Sequence, residues 1–341
     1  MQNFIKTKLY LPILILILTF SYEAKSELSV VTSIKPIHSI ASNIMDGVYE
    51  PILLVEGSTS PHSMILKPSH VEAINNADLI FFVSDDLETF LERPLNNITN
   101  STKIVELIDN EDLFVLKFRE NNIYLGNYHD DYDDHDDHHD EDNHAKDDDH
   151  DDHDDHHDDY DEHGHHKHSH GEYDVHIWLD SFNAKVIANN IAEELSKLDP
   201  ANTSTYQNNR DKFVEKVSDT EEKISQQLDH YVSYVTFHDA YQYFENRFDV
   251  ASSGALTINP DVMPGARQLS DVRELMAVND IHCIFSEPQF NPKVVEVIAE
   301  DTNTKMGILD PLGATIPLGK DHYLGVLTDI ADSLEGCSHD H

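Results

Sequence analysis

Between His129 and His170 the chain places 14 His among 18 Asp, 2 Glu and 2 Lys, with no aliphatic side chain larger than Ala145. Such a stretch cannot bury enough apolar surface to offset the entropy lost on ordering, so residues 128–171 are expected to be a disordered insertion. Whatever folds must be built from the two flanks. The insertion also skews the electrostatics, since its 20 acids against 2 Lys supply −18 of a formal net charge of −42. A chain this acidic is excluded from holding nucleic acid or anionic lipid by general electrostatics, and it attracts cations instead.

The N-terminus reads as an export signal. Lys6 and Lys8 precede an apolar run from Leu9 to Phe20 that only Pro12 and Thr19 interrupt, and Ala24-Lys25-Ser26 supplies small residues before a cut at Glu27. The run is short for a bilayer span, no second one follows, and no Cys stands at the cut to take a lipid. Export into an oxidising compartment suits Cys283 and Cys337 as a disulfide, with two buried thiols as the alternative.

The flanks alternate short apolar runs with helical patterns, which predicts an α/β fold. Strands are expected at Leu28–Ile34, Tyr49–Val55 and Ala77–Val83, with helices over Ile37–Met45 and Pro68–Asn75. The unbroken apolar run LIFFV marks a parallel sheet covered on both faces. After the insertion, Asp180 or Ser181 can cap a helix whose Ala184, Ile187, Ile191, Leu195 and Leu198 keep helical spacing. A long polar helix from about Pro200 to Tyr231 follows, its stripe formed by Phe213, Val217, Ile224, Leu228 and Tyr231. Its length suits a connection between two lobes. Further strands are expected at Tyr234–Tyr241, Cys283–Phe290 and Lys305–Gly313, each ending in polar residues. Ligands of open α/β sheets sit beyond such carboxyl ends.

Three histidines outside the insertion occupy such places: His62 in a loop after the second strand, His176 just past the insertion, and His238 at a strand end. Neutral imidazole suits Zn²⁺, and three His with one further donor make a tetrahedral site. Asp310 and Glu287 end two other strands, and Asp239, Asp180 or Glu287 is placed to orient a ligating His. His38 lies near a strand end, with a surface role as its expected one; His70, His230, His282, His322, His339 and His341 carry no functional reading.

The segments VTSIKPIHSIASNIMDG, SPHSMILKPSHVEAINNADLIFFVSDDLETFLERP, HIWLD, FHDAYQYF, INPDVMPGARQL, CIFSEPQF and ILDPLGATIPLGKDHY run in this order around the His/Asp-rich tract. In them the chain resembles periplasmic zinc-uptake solute-binding proteins of the ZnuA type, within the metal-binding cluster of ABC-transporter binding proteins. The resemblance implies two α/β lobes with mainly parallel central sheets, joined by one long rigid helix, with metal in the cleft. It divides the chain into a signal peptide (1–26), an N-terminal lobe (27–199), a linking helix (200–231) and a C-terminal lobe (232–341). It places the zinc ligands at His62, His176 and His238. Related manganese binders carry a carboxylate where this chain has His238, so the all-imidazole set favours Zn²⁺. Some zinc members have Glu before the first ligand; Pro61 stands there, leaving water, Asp310 or a histidine of the insertion as the fourth ligand. The two cysteines match a disulfide of the zinc branch.

The implied function is capture of Zn²⁺ in the periplasm and delivery to an inner-membrane ABC permease, by a monomer that catalyses no reaction and inserts in no membrane once its signal is removed. Zinc is thus the transported ligand. In the insertion, His150, His153, His156, His157, His163, His165, His166, His168 and His170 are expected to form auxiliary low-affinity sites, each weakened by the cost of ordering a floppy chain. The rival readings are a manganese or iron binder of the same fold, a zinc hydrolase and a surface adhesin. Three His plus water also occurs in hydrolytic zinc sites, but the chain has neither HExxH nor GxSxG.

Overall fold

The computed structural model describes residues 27–98, 101–123, 172–229, 232–260 and 262–338. The signal peptide, the whole insertion at 128–171, and Tyr231 lie outside the described residues, so the expectation of disorder in the tract does too.

Strands β1 (Val30–Thr32), β2 (Ile52–Leu53), β3 (Leu79–Phe82) and β4 (Lys103–Glu106) form an all-parallel sheet in the order β2-β1-β3-β4. Parallel neighbours need crossovers, here carried by α1 (Lys35–Ile44), α2 (Pro68–Asn76) and α3 (Glu92–Asn96). Pro36 and Pro68 fall in first helical turns, where a missing N–H costs nothing. After the insertion come α4 (Ser181–Leu198) and α5 (Thr203–Gln227). Asp180 caps α4 by accepting the Phe182 N–H at 2.7 Å, which decides between the two expected caps.

A second parallel sheet repeats the first one's order, as β6-β5-β7-β8, from β5 (Tyr234–His238), β6 (Gly254–Thr257), β7 (Cys283–Ser286) and β8 (Lys305–Ile308). Its crossovers are α6 (Gln242–Phe248), α7 (Ala266–Val278) and α8 (Lys293–Thr302), and α9 (His322–Ser338) follows β8. The expected two-lobed α/β architecture is therefore present.

The two sheets share one core. Val30 and Phe81 of the first sheet and Tyr234 and Phe285 of the second join a single apolar cluster with residues of α1, α4, α5 and α9. Separate clusters cover the other faces, around Val31, Ile80 and Phe82 and around Val235, Leu256 and Ile284. Being buried on both faces, the central strands read as continuous apolar runs.

Helix α5 spans the lobes. At 25 residues it is about 37 Å long, shorter than expected because a 3₁₀ turn, Pro200–Asn202, precedes it and it ends at Gln227. Its buried stripe is Tyr206, Phe213, Val217 and Ile224. Near its start Asn209 donates to the carbonyls of Ile44 and Asp46 at 3.0 and 2.9 Å, and at its end Gln227 donates to Asp332 and Glu335 of α9 at 2.8 and 2.6 Å. The Cys283–Cys337 disulfide fastens the start of β7 to the end of α9.

The stems of the insertion are clasped. Phe118 N–H donates to Glu172 O at 3.2 Å and Asp174 N–H to Leu116 O at 2.8 Å, with Lys117 and Glu172 ion-paired across the gap. Beyond Arg119 the chain crosses to the second lobe, where Ala255 N–H donates to Asn122 O at 2.9 Å. A Cβ at Gly254 would sit 2.6 Å from that oxygen, so the close approach requires glycine. No helix among the described residues is long and apolar enough to cross a membrane.

Candidate metal centre

His62, His176 and His238 come from three separate elements and meet at one point. His62 lies in the loop after β2, where its N–H donates to Ser60 Oγ at 3.3 Å. His176 enters a 3₁₀ turn, Ile177–Leu179, whose three residues are buried. That turn is pinned to the far lobe: Trp178 Nε1–H donates to Pro311 O at 2.8 Å, and Tyr323 Oη–H donates to Trp178 O at 2.9 Å. His238 is the last residue of β5.

One side-chain nitrogen from each histidine falls within 4.8 Å of the other two, and His176 Nε2 lies 3.3 Å from His238 Nε2. His176 Nδ1 contacts Asp174 Oδ1 at 2.7 Å, and His238 Nδ1 contacts Glu287 Oε1 and Oε2 at 2.9 and 3.1 Å. Asp174, Glu287 and both rings are buried. An ionised carboxylate only accepts, which assigns a proton of each ring to Nδ1, so that in the neutral tautomer Nε2 carries the lone pair. Two lone pairs 3.3 Å apart repel, and a cation between them turns that repulsion into coordination. Burial is the largest cause that pushes the His62 pKa down, to about 2, so this imidazole is neutral, as a metal ligand must be. The cavity they line is walled by Trp178, Phe290 and Leu312 as well.

Among the described residues no carboxylate joins this group. Glu287 instead orients His238, one of the roles expected of it. The other two proposed orienting groups are engaged elsewhere. Asp180 caps α4 and accepts from Arg247 at 2.7 and 3.0 Å. Asp239 and Glu245 flank the Arg119 guanidinium, although burial still pushes the Asp239 carboxyl up to about 6. Asp310 accepts the backbone N–H groups of Leu312 and Ala314 and Gln289 Nε2–H, so its oxygens shape the loop after β8.

Asp174, which orients His176, escaped the sequence reading. Its signal is the Asp-x-His spacing: Oδ1 also takes the His176 backbone N–H at 3.0 Å, a local turn that brings carboxylate and ring together. His38 is corrected as well. It is buried, with Nε2 against Pro51 O at 3.0 Å and Nδ1 against Ser42 Oγ at 3.3 Å, so it is neither a surface residue nor part of the site. The nine auxiliary histidines, His150 to His170, lie outside the described residues.

Comparison with known proteins identifies the family. The family described as ZnuA, zinc-uptake complex component A, periplasmic, matches residues 30–337. The high-affinity zinc uptake system protein ZnuA of Brucella abortus is 43% identical over 310 residues, which cover 90% of this chain and 91% of that protein. The protein of the same name from Haemophilus ducreyi is 41% identical over 310 residues, covering 90% and 92%. A crystal structure of a ZnuA deletion mutant with zinc bound superposes with a TM-score of 0.68 at 19% identity, over 92% of this chain and 99% of that one. The chain belongs to the ZnuA family of periplasmic zinc-uptake components.

Proposed function

We propose that this chain captures Zn²⁺ in the periplasm and delivers it to a membrane ABC permease, holding the ion on His62, His176 and His238 and catalysing no reaction. The observation that carries the reading is the pair of Nε2 atoms 3.3 Å apart, each fixed by a carboxylate on its own Nδ1. The zinc-uptake names of relatives more than 40% identical over nine-tenths of the chain support the choice of cargo. Three imidazoles prefer zinc to manganese by ligand type and by the general divalent order. Because the ligands come from both lobes, separating the lobes dismantles the site, which gives the permease a way to release the ion.

The His/Asp-rich insertion is proposed to gather zinc weakly and pass it on. Its C-terminal stem at Glu172 is only four residues from His176 and is clasped to Phe118. Competition against a chromophoric chelator tests the central site. The wild type is expected to take up one tight Zn²⁺, and His238→Ala to lose it while still folding. A variant that retains the tight site would remove His238 from the ligand set.

A further inference from the structure

The loop after β7 reads Glu287-Pro288-Gln289-Phe290, and three of its side chains face the same cavity. Glu287 holds His238, and the Phe290 ring packs edge-on against that imidazole at 6.0 Å. Gln289 remains. Its Nε2–H donates to Asp310 Oδ1 at 2.7 Å, and an acceptor carboxylate there dictates which end of the amide is nitrogen. The other end, Oε1, is buried and accepts no hydrogen bond from any described residue. A buried carbonyl oxygen without a partner costs roughly 1–3 kcal/mol, so it calls for a ligand.

We propose that Gln289, clamped by Asp310, supplies its Oε1 as the fourth donor to the bound cation. This rests on the reading of His62, His176 and His238 as zinc ligands and completes it. The engagement of the neighbouring carboxylate leads to a neutral protein oxygen. Asp310 spends its oxygens on Leu312, Ala314 and Gln289 and is not among the groups lining the cavity. The loop thus acts twice, orienting one ligand through Glu287 and contributing another through Gln289.

Co²⁺ serves as a spectroscopic stand-in for Zn²⁺, and azide as the probe for a replaceable ligand. With Gln289 in the fourth position, the visible spectrum of the Co²⁺-loaded wild type is expected to ignore millimolar azide. Gln289→Ala opens that position, so its spectrum shifts with azide and its Zn²⁺ affinity falls by about tenfold, while its metal-free melting temperature stays near that of the wild type. An azide-sensitive wild type overturns the proposal, because a solvent molecule then fills the position. Azide insensitivity in both proteins also overturns it, because another protein group must be the donor. His238→Ala separates the two levels: if it gives the wild-type Co²⁺ spectrum, the three-histidine reading fails and takes this inference with it.

Discussion

Replacing Glu287 with Gln isolates what a buried carboxylate does for the site. The Glu287 side chain is 1% exposed, and both its oxygens lie within 3.1 Å of His238 Nδ1. The amide keeps one acceptor for the Nδ1–H, so the tautomer survives and only the charge is removed. Losing such an outer partner lowers metal affinity by about 10–100-fold, or roughly 1.4–2.8 kcal/mol. Glu287→Gln belongs near the tenfold end. Glu287→Ala belongs near the hundredfold end, because the free ring can then place its proton on Nε2, against the metal. Without metal the sign differs: a buried charge costs desolvation free energy, so Glu287→Gln should melt no lower than the wild type. The assay is a chelator-competition titration of Zn²⁺ at neutral pH beside thermal unfolding of the metal-free proteins. Affinity unchanged within about twofold would refute the positioning role. A weakened site together with a melting temperature lowered by several degrees would mean that the residue holds the fold.

Acid should unfold the metal-free protein. Burial is the largest cause in lowering the pKa of His62, His38 and His322, so between pH 6.5 and much lower values the unfolded chain binds protons the native state refuses. Their contribution to stability is present above about pH 6.5 and fades as pH falls, which denaturant midpoints from pH 8 to pH 4 would display; a flat profile would contradict it. Reducing the Cys283–Cys337 disulfide frees a 54-residue separation, for which the chain-entropy estimate is about 4 kcal/mol. That corresponds to a drop on the order of 10 °C in melting temperature, and an unchanged transition would show that the bond constrains little. Deleting residues 129–170 should lower the number of Zn²⁺ bound while leaving the tight site's affinity intact. Unaltered stoichiometry, together with unaltered uptake at scarce zinc, would deprive the insertion of any such role.

Much of the fold was legible because its chemistry is local and periodic. The runs around Val30–Thr32, Leu79–Phe82, Tyr234–His238 and Cys283–Ser286 are strands buried on both faces, and an unbroken apolar run is what such burial selects. β4 and β6 were missed: KIVE carries two charges at a sheet edge, and GALT opens with a glycine required by the contact with Asn122. The three histidines stood out through the resemblance, since each sits on a different element and no spacing rule joins them. Partnerships were harder. Asp180, Asp239 and Glu287 were equal candidates in sequence, and only the fold gives two of them to arginines and one to His238. Gln289 gave no sequence signal, because its interest lies in one buried oxygen that Asp310 turns away from itself.

The central claim is that three scattered, ordered histidines, rather than the fourteen in the acidic insertion, hold the transported ion. Anomalous diffraction at the zinc edge, from crystals of the protein loaded with one equivalent of Zn²⁺, tests it most directly. The strongest peak is expected among His62, His176 and His238, within bonding distance of His176 Nε2 and His238 Nε2. A strongest peak elsewhere, with that cavity empty, would contradict the account.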